Sequence, residues 1–277
     1  MTHPQTADTP HQLLTEALRR DPARPLITFY DDATGERTEL SVATFANWVA
    51  KTANLLRDDL DVQPASTVSL DLPVHWQGAV WLHACWALGL HVVPDGGELQ
   101  VVAYDDAYDM VDDGTVDPAS HRDRSGAAEV VALGLGPMGL PRRDAAAPAG
   151  TTLDYDREVH GHGDRFVPAP APGPDSPALT VGSRTLSGAG LVAPVEAACA
   201  ALAPGARLLV TAPLITLDAV LAATLVPLAG PVAAVLCRHP DPAGLAARVV
   251  QEHLVAVVGP GAPALPFWSS GGPTDNL

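Results

Sequence analysis

The sequence predicts an α/β fold: two α/β subdomains, each with a mostly parallel sheet flanked by helices. Residues 178–258 alternate between short apolar runs and segments of helix length, as strands joined by crossover helices do. Residues 42–60 repeat apolar side chains every three or four positions, which is one face of a helix. Seven of the thirteen aromatic residues lie between Phe29 and Trp86, and none lies between Val181 and Pro266. The two halves of the chain therefore differ in composition as well as in pattern.

In the first half we expect a strand pair, a helix, and a second strand followed by a buried helix. Ser41 precedes the periodic run and carries the hydroxyl that helix N-caps favour. The next helix is apolar on all sides, which predicts burial, and Gly89 ends it. The predicted strands are Pro25–Tyr30, Glu36–Leu40, Thr67–Leu72, His91–Pro94 and Glu129–Leu135, and the helices cover 42–60 and His75–Leu88.

In the second half strands and helices alternate regularly. Ser187 is expected to cap the first helix of this half, and Pro227 should interrupt the last turn of the second. The predicted strands are Ala178–Val181, Arg207–Thr211, Val232–Cys237 and Val255–Val258, and the helices run from Ser187 to about Leu202, over Leu217–Leu228 and over Asp241–His253.

The composition also divides the chain. A Pro/Ala/Gly-rich stretch with several charges suits an exposed connection. We therefore predict a first subdomain over residues 1–140, a connection over 141–177, a second subdomain over 178–262, and a mobile Pro/Gly/Ser tail over 263–277.

Charge and cysteine content restrict the partners. The net charge of −16 disfavours nucleic acid, because phosphate backbones are repelled. The three cysteines are widely spaced and predict neither a disulfide framework nor a metal pair. No signal peptide and no membrane span are expected, so the default is a cytoplasmic protein without a membrane partner. The composition is compatible with a homo-oligomer.

The best candidate site is the loop from Gly182 to Gly190, which follows a strand and opens a helix. Hydroxyls, glycines and one guanidinium at a helix start suit phosphate or carboxylate, through free N–H groups and the helix dipole. An ordinary strand-to-helix turn capped by serine is the alternative. The candidate ligand-binding residues are Ser183, Arg184, Thr185, Ser187 and Gly188.

Four other patterns favour structural roles. The G-x-G-x-x-G match at Gly134–Gly139 contains a proline and no helix follows it, so a plain glycine turn is expected. His160, His162 and Asp164 lie in the predicted connection, where a solvated loop is favoured over a zinc site. The carboxylates of residues 105–117 indicate a solvated acidic edge. Core packing is expected for His75, His83, Cys85, Trp76, Trp81 and Trp86, with the buried polar groups satisfied.

The order of segments resembles a known superfamily. ARPLITFYDDATGERTELSVATFANWVAKTANLL (23–56), VSLDLP (68–73) and GLHVVP (89–94) resemble the opening of the AMP-binding, acyl-CoA-synthetase-like, adenylate-forming enzymes, and 207–260 resembles their later strand–helix run. More narrowly, the chain resembles an actinobacterial family with twilight similarity to these enzymes. The resemblance implies a truncated version of their N-terminal domain, with residual binding of AMP, ATP or CoA as a possible remnant.

The chain departs from that superfamily at its chemical motifs. The resemblance puts the phosphate loop near residues 178–191, but the Pro-Lys-Gly that follows the Ser/Thr/Gly run is absent. The later Tyr-Gly-x-Thr-Glu segment, the ribose-binding Asp and the lid with its catalytic Lys have no counterpart. Adenylation needs cations at the reacting phosphate, and Lys51 is the single lysine. We expect Lys51 to be exposed, because it lies off the apolar face of its helix.

Three functions follow from these observations. The first is a degenerate synthetase-like domain that binds a small ligand or a protein and does not adenylate. The second is an enzyme with altered chemistry that uses Arg184 on a phosphorylated or acyl substrate. The third is a structural or interaction protein, with Trp76, Trp81 and Trp86 as part of an interface. No resident cofactor and no metal are predicted.

Overall fold

The computed structural model describes residues 7–104, 129–141, 147–260, 266 and 268–269. The predicted acidic edge at 105–117 lies outside the described residues, as does most of the predicted tail. The strands are β1 Pro25–Asp31, β2 Glu36–Ser41, β3 Thr67–Asp71, β4 His91–Val93, β5 Leu99–Ala103, β6 Glu129–Leu133, β7 Leu153–Asp154, β8 Pro177–Val181, β9 Arg184–Ser187, β10 Arg207–Val210, β11 Ala233–Arg238 and β12 Leu254–Val258.

The helices alternate with these strands along most of the chain. They are α1 Pro10–Arg20, α2 Val42–Asp58, α3 Trp76–Leu88, α4 Tyr155–Glu158, α5 Gly188–Val192, α6 Val195–Ala200, α7 Leu217–Val220, α8 Val226–Ala229 and α9 Pro242–Gln251. A π-helical turn over Leu221–Leu225 joins α7 to α8, so the predicted Leu217–Leu228 helix is continuous but irregular before Pro227.

Two sheets organise the fold. The first has the strand order β12-β10-β11-β1-β2, and the second has the order β7-β6-β5-β3-β4-β8-β9. Neighbouring strands are parallel except in the β1–β2 and β8–β9 hairpins. The predicted α/β fold with mostly parallel sheets and flanking helices is therefore confirmed.

The two hairpins exchange the chain between the sheets. From the β1–β2 hairpin in the first sheet, α2 leads to β3 in the second sheet. From the β8–β9 hairpin in the second sheet, α5 and α6 lead to β10 in the first. Each sheet thus combines strands from both sides of residues 141–177. The subdomain limits at 140 and 178 stay a prediction, and the sheets do not follow them.

The helix α3 lies between the sheets. It contacts β1 of the first sheet and β4 of the second, and α2 packs beside it. Its tryptophans Trp76, Trp81 and Trp86 are at most 3% exposed, which confirms their prediction as core residues. Because a partner cannot reach buried rings, these three tryptophans do not form an interface.

Local capping explains several helix limits. Ser41 accepts a hydrogen bond from the N–H of Thr44, and Ser187 accepts one from Gly190, as N-caps do. Gly89 ends α3 with φ +73°, a conformation that glycine adopts without strain. The helix predicted from Ser187 to about Leu202 is instead two short helices, with Pro194 between them.

The structure adds elements that the sequence pattern did not predict. The helix α1 begins after Thr9, which caps it, and buries Leu13, Leu14 and Ala17. The strands β5 and β9 were also not predicted. The predicted exposed connection contains β7 and α4, and it buries Tyr155. That part of the prediction is wrong, because a Pro/Gly-rich stretch still packs where it contributes strand and aromatic residues.

The chain after β12 returns to the first sheet. The N–H of Val257 donates to the carbonyl of Pro266 (3.0 Å), and the N–H of Trp268 donates to the carbonyl of Val257 (2.8 Å). Trp268 is 6% exposed, so the predicted mobile tail is held at this point. Among the helices of the described residues, none is long and apolar enough to cross a membrane.

Candidate functional site

The predicted ligand loop is a β-hairpin at the edge of the second sheet. Gly182 forms its turn with φ +57°, and β8 pairs antiparallel with β9. The side chains of Ser183, Arg184 and Thr185 are exposed, whereas Ser187 is half-buried and Gly188 is buried. The guanidinium of Arg184 makes no hydrogen bond or ion pair to a described residue, so it is available to a ligand.

The N–H groups at the start of α5 are already used. Those of Gly188 and Ala189 donate to backbone carbonyls of the segment before β8, at 3.1 and 2.8 Å. That of Gly190 donates to the hydroxyl of Ser187 at 3.2 Å. The expectation of free N–H groups at this helix start is therefore wrong for these three residues. An anion at the hairpin would rely on the exposed hydroxyls and on Arg184.

One of those hydroxyls already has a partner. The Oγ1 atoms of Thr185 and Thr180 are 3.0 Å apart, and Thr180 Oγ1 lies 2.8 Å from Nε2 of His91. Burial lowers the pKa of His91, which favours the neutral imidazole. The chain of three groups ties β4 to the hairpin, and it holds Thr185 in place.

Lys51 is not a free cation. Its Nζ donates to the carbonyl of His162 at 2.6 Å and lies 3.5 Å from the carbonyl of His160. The side chain is half-buried, so the expectation of full exposure is wrong. The ammonium instead attaches the 160–162 segment to α2, across 111 positions of sequence.

The loop around His160, His162 and Asp164 is exposed at His160 and Asp164, as predicted for a solvated loop, and both histidines are in addition bonded to the protein. Nε2 of His160 lies 2.9 Å from the carbonyl of Gly139, and Nε2 of His162 lies 3.0 Å from the carboxylate of Asp59. Within the described ranges, no three His, Cys, Asp or Glu side chains are grouped to hold a metal ion.

A buried carboxylate lies at the carboxyl ends of strands in the second sheet, where open α/β sheets place ligands. Asp156 has no exposed surface; its Oδ2 accepts the Gly134 N–H (2.8 Å) and its Oδ1 accepts Nε2 of Gln77 (3.4 Å). Burial, with a smaller effect of Asp154, raises the pKa of Asp156 to about 7. The composition of the predicted connection gave no sign of this group.

The same cluster explains the G-x-G-x-x-G match. A Cβ on Gly134 would lie 2.9 Å from the Asp156 carboxylate and 3.1 Å from the Tyr104 ring. A Cβ on Gly139, which has φ +66°, would lie 2.6 Å from the Trp48 ring. Only a 3₁₀ turn follows β6, over 137–139. The glycines are needed for close packing, and the prediction of a plain glycine turn agrees with this geometry.

Several buried polar groups of α3 lack partners. His75 and His83 are 1% exposed, and burial lowers the pKa of both, of His83 to about 3. The prediction that these two histidines are buried is confirmed. The prediction that their ring nitrogens all have hydrogen-bond partners is wrong. Within the described residues the buried atoms of α3 and its cap that lack a partner are His75 Nε2, Trp76 Nε1, Gln77 Oε1, Trp81 Nε1, and Nδ1 and Nε2 of His83.

The thiols differ in access. All three cysteines are free; Cys85 and Cys237 are fully buried, and burial raises the pKa of each to about 12. Cys199 is half-buried and lines a groove of about 660 Å³ between α1 and the α5–α6 pair. A second groove of about 600 Å³ lies between α1, α2 and residues 164–168.

Comparison with known proteins identifies relatives of the chain and of its fold. A TIGR03089 family protein of Mycobacterium tuberculosis is 38% identical over 258 residues, which are 93% of this chain and 100% of that protein. No family model matches the chain.

Two crystal structures of the nonribosomal peptide synthetase FmoA3 share the fold. One superposes with a TM-score of 0.63 at 20% identity, and the AMPPNP-bound form with 0.64 at 21%. Each match covers 92% of this chain and 26% of the FmoA3 chain. At these identities the likeness shows a shared fold and nothing further.

Proposed function

The chain belongs to the TIGR03089 family, and on that premise we propose that it is a degenerate AMP-binding-like domain that binds a small ligand or a protein partner without adenylating. The proposal combines the scaffold of an adenylate-forming enzyme with the loss of its phosphate-handling cations. The observation that carries it is the position of Lys51, whose Nζ is bonded to the carbonyl of His162.

Adenylation joins a carboxylate to the α-phosphate of ATP, and the developing negative charge must be neutralised there. Lys51 is the only lysine, and releasing its ammonium would detach the 160–162 segment from α2. Arg24, Arg207 and Arg248 are likewise committed, because each donates to carbonyl or carboxylate oxygens of the protein. Loss of one such charge stabiliser costs on the order of 10² to 10³ in rate.

The test is pyrophosphate release from ATP and Mg²⁺ with a panel of carboxylic acids. We expect no release above the background rate of a heat-denatured sample. Release that depends on enzyme and carboxylate would contradict the proposal. In parallel, thermal shift with ATP, AMP, CoA and acyl-CoA measures residual binding, since a ligand at 100 times its Kd stabilises a protein by about 2.7 kcal/mol.

A second candidate function, altered chemistry on a phosphorylated or acyl substrate, is favoured by Arg184. Its guanidinium is exposed and makes no bond within the described chain, next to the hydroxyls of Ser183 and Thr185. For any ligand that raises the melting temperature, Arg184→Ala should abolish the rise. Arg19→Ala is the matched control, because Arg19 is also exposed and lines neither of the two grooves. An unchanged shift in Arg184→Ala would count against this candidate.

A further inference from the structure

We propose that the groove between α1 and the α5–α6 pair binds an apolar organic cation, such as a quaternary ammonium with a hydrocarbon body. None of the cationic residues that the adenylation argument uses lines this groove, and its test measures the labelling of Cys199 and not nucleotide binding. The inference therefore stands or fails independently of the function proposed above.

The groove has the size and walls of a small-molecule site. Its volume is about 660 Å³, within the range of about 300–1,000 Å³ that ligand pockets occupy. Apolar side chains from three elements form its walls: Leu13 of α1, Val192 of α5, and Val195 of α6. Such walls favour a ligand with a hydrocarbon body, because binding removes apolar surface from water.

The charged side chains around the groove determine which sign of charge a ligand should carry. The carboxylates of Asp8, Glu16 and Glu196 line it, and none of them makes a hydrogen bond or ion pair to a described residue. Arg20 also lines the groove, and its guanidinium donates to the carbonyl of Ala229 at 2.7 Å. A neutral carbonyl does not cancel the charge of Arg20, so the groove is lined by three carboxylates and one guanidinium, and its net charge is negative.

A cation that combines a diffuse charge with an apolar body fits both features. It would approach the unpaired carboxylates while its hydrocarbon part covers the walls. An anion of the same shape would be repelled, and a compact metal ion would find no group of three ligands among the described residues.

The chain carries its own reporter in this groove. Cys199 lines it and is half-buried, and its Sγ donates to the carbonyl of Val226 at 3.5 Å. Cys85 and Cys237 have no exposed surface. A small uncharged thiol reagent therefore labels Cys199 first in the folded protein, and an occupant of the groove slows that labelling.

The experiment measures the rate at which methyl methanethiosulfonate labels Cys199, followed by peptide mass spectrometry. Benzyltrimethylammonium is the probe, and benzenesulfonate is the matched anion. We expect the cation to slow labelling at least threefold at saturation and the anion to leave the rate unchanged. High salt should weaken the protection, since it screens exposed charges.

Two variants keep the test specific. The double variant Glu16→Gln/Glu196→Gln removes two carboxylates from the groove without removing buried groups, and it should lose the protection. Asp61→Asn, an exposed carboxylate outside the groove, should keep it. Equal melting temperatures of all three proteins exclude a folding effect. Equal protection by cation and anion, no protection by the cation, or full protection in the double variant would each overturn the proposal.

Discussion

The buried carboxylate of Asp156 predicts a measurable dependence of stability on pH. Asp156 has no cationic partner among the described residues, and burial raises its pKa from the ordinary 3.8 to about 7. Between these values the folded protein keeps a proton that the unfolded chain has released. The free energy of unfolding attributable to this group therefore falls as the pH rises from about 4 to about 7.

The size of this effect follows from the same rise in pKa. At about 1.4 kcal/mol per pH unit, the rise from 3.8 to about 7 corresponds to roughly 4 kcal/mol. Asp156→Asn removes the ionisation and keeps the shape, and its amide Oδ1 can still accept the N–H of Gly134. The variant should therefore match the wild type near pH 4 and exceed its stability by up to about 4 kcal/mol at pH 8.

Urea unfolding of both proteins from pH 4 to pH 8.5 measures the difference directly, because contributions of unchanged groups cancel. Asp61→Asn, an exposed substitution of the same kind, is the control and should show a flat difference. A difference that is constant with pH for Asp156→Asn, or that favours the wild type more at high pH, would refute the reasoning.

Three further predictions test other contacts. Lys51→Met should lower the free energy of unfolding by about 1–3 kcal/mol, because it removes hydrogen bonds from a charged donor, and chemical denaturation measures the loss. Gly139→Ala should lower the free energy of unfolding by about 1–3 kcal/mol, because a Cβ would lie 2.6 Å from the Trp48 ring. A thermal melt measures the loss, and an unchanged melting temperature would contradict this. Arg248→Met removes the cation that pairs with the carboxylate of Asp32, where both side chains are about 10% exposed, so we expect the free energy of unfolding in urea to fall by about 3–5 kcal/mol, and by much less in the double variant with Asp32→Asn.

Local sequence signals predicted most of the regular elements. The period of α2, the caps Ser41 and Ser187, and the end of α3 at Gly89 all depend on residues within one or two turns. The helix α1 was missed although Thr9 carries the same capping signal. The strands β5 and β9 are too short for a hydrophobic period to be recognised. They are stabilised by pairing with β3 and β8, which the local sequence does not reveal.

The candidate sites depended on contacts that no local pattern contains. The sequence identified the exposed residues of the β8–β9 hairpin, but whether they bind an anion stays a prediction. It could not identify Asp156, because the segment around it has the composition of an exposed connection. It also could not show that the ring nitrogens of His83 lack partners, since this depends on packing between α2 and α3.

The sequence by itself determined the class of fold, because hydrophobic period, caps and glycine positions act over a few residues and bias each segment separately. Only the tertiary structure decided which charged side chains are bonded within the protein and which are free. Lys51 meets His162 across 111 positions, and Asp32 meets Arg248 across 216. A charge is satisfied by whichever group lies within hydrogen-bond distance and by the water that burial removes. Both are properties of the packed chain, so they become fixed only when distant segments come together.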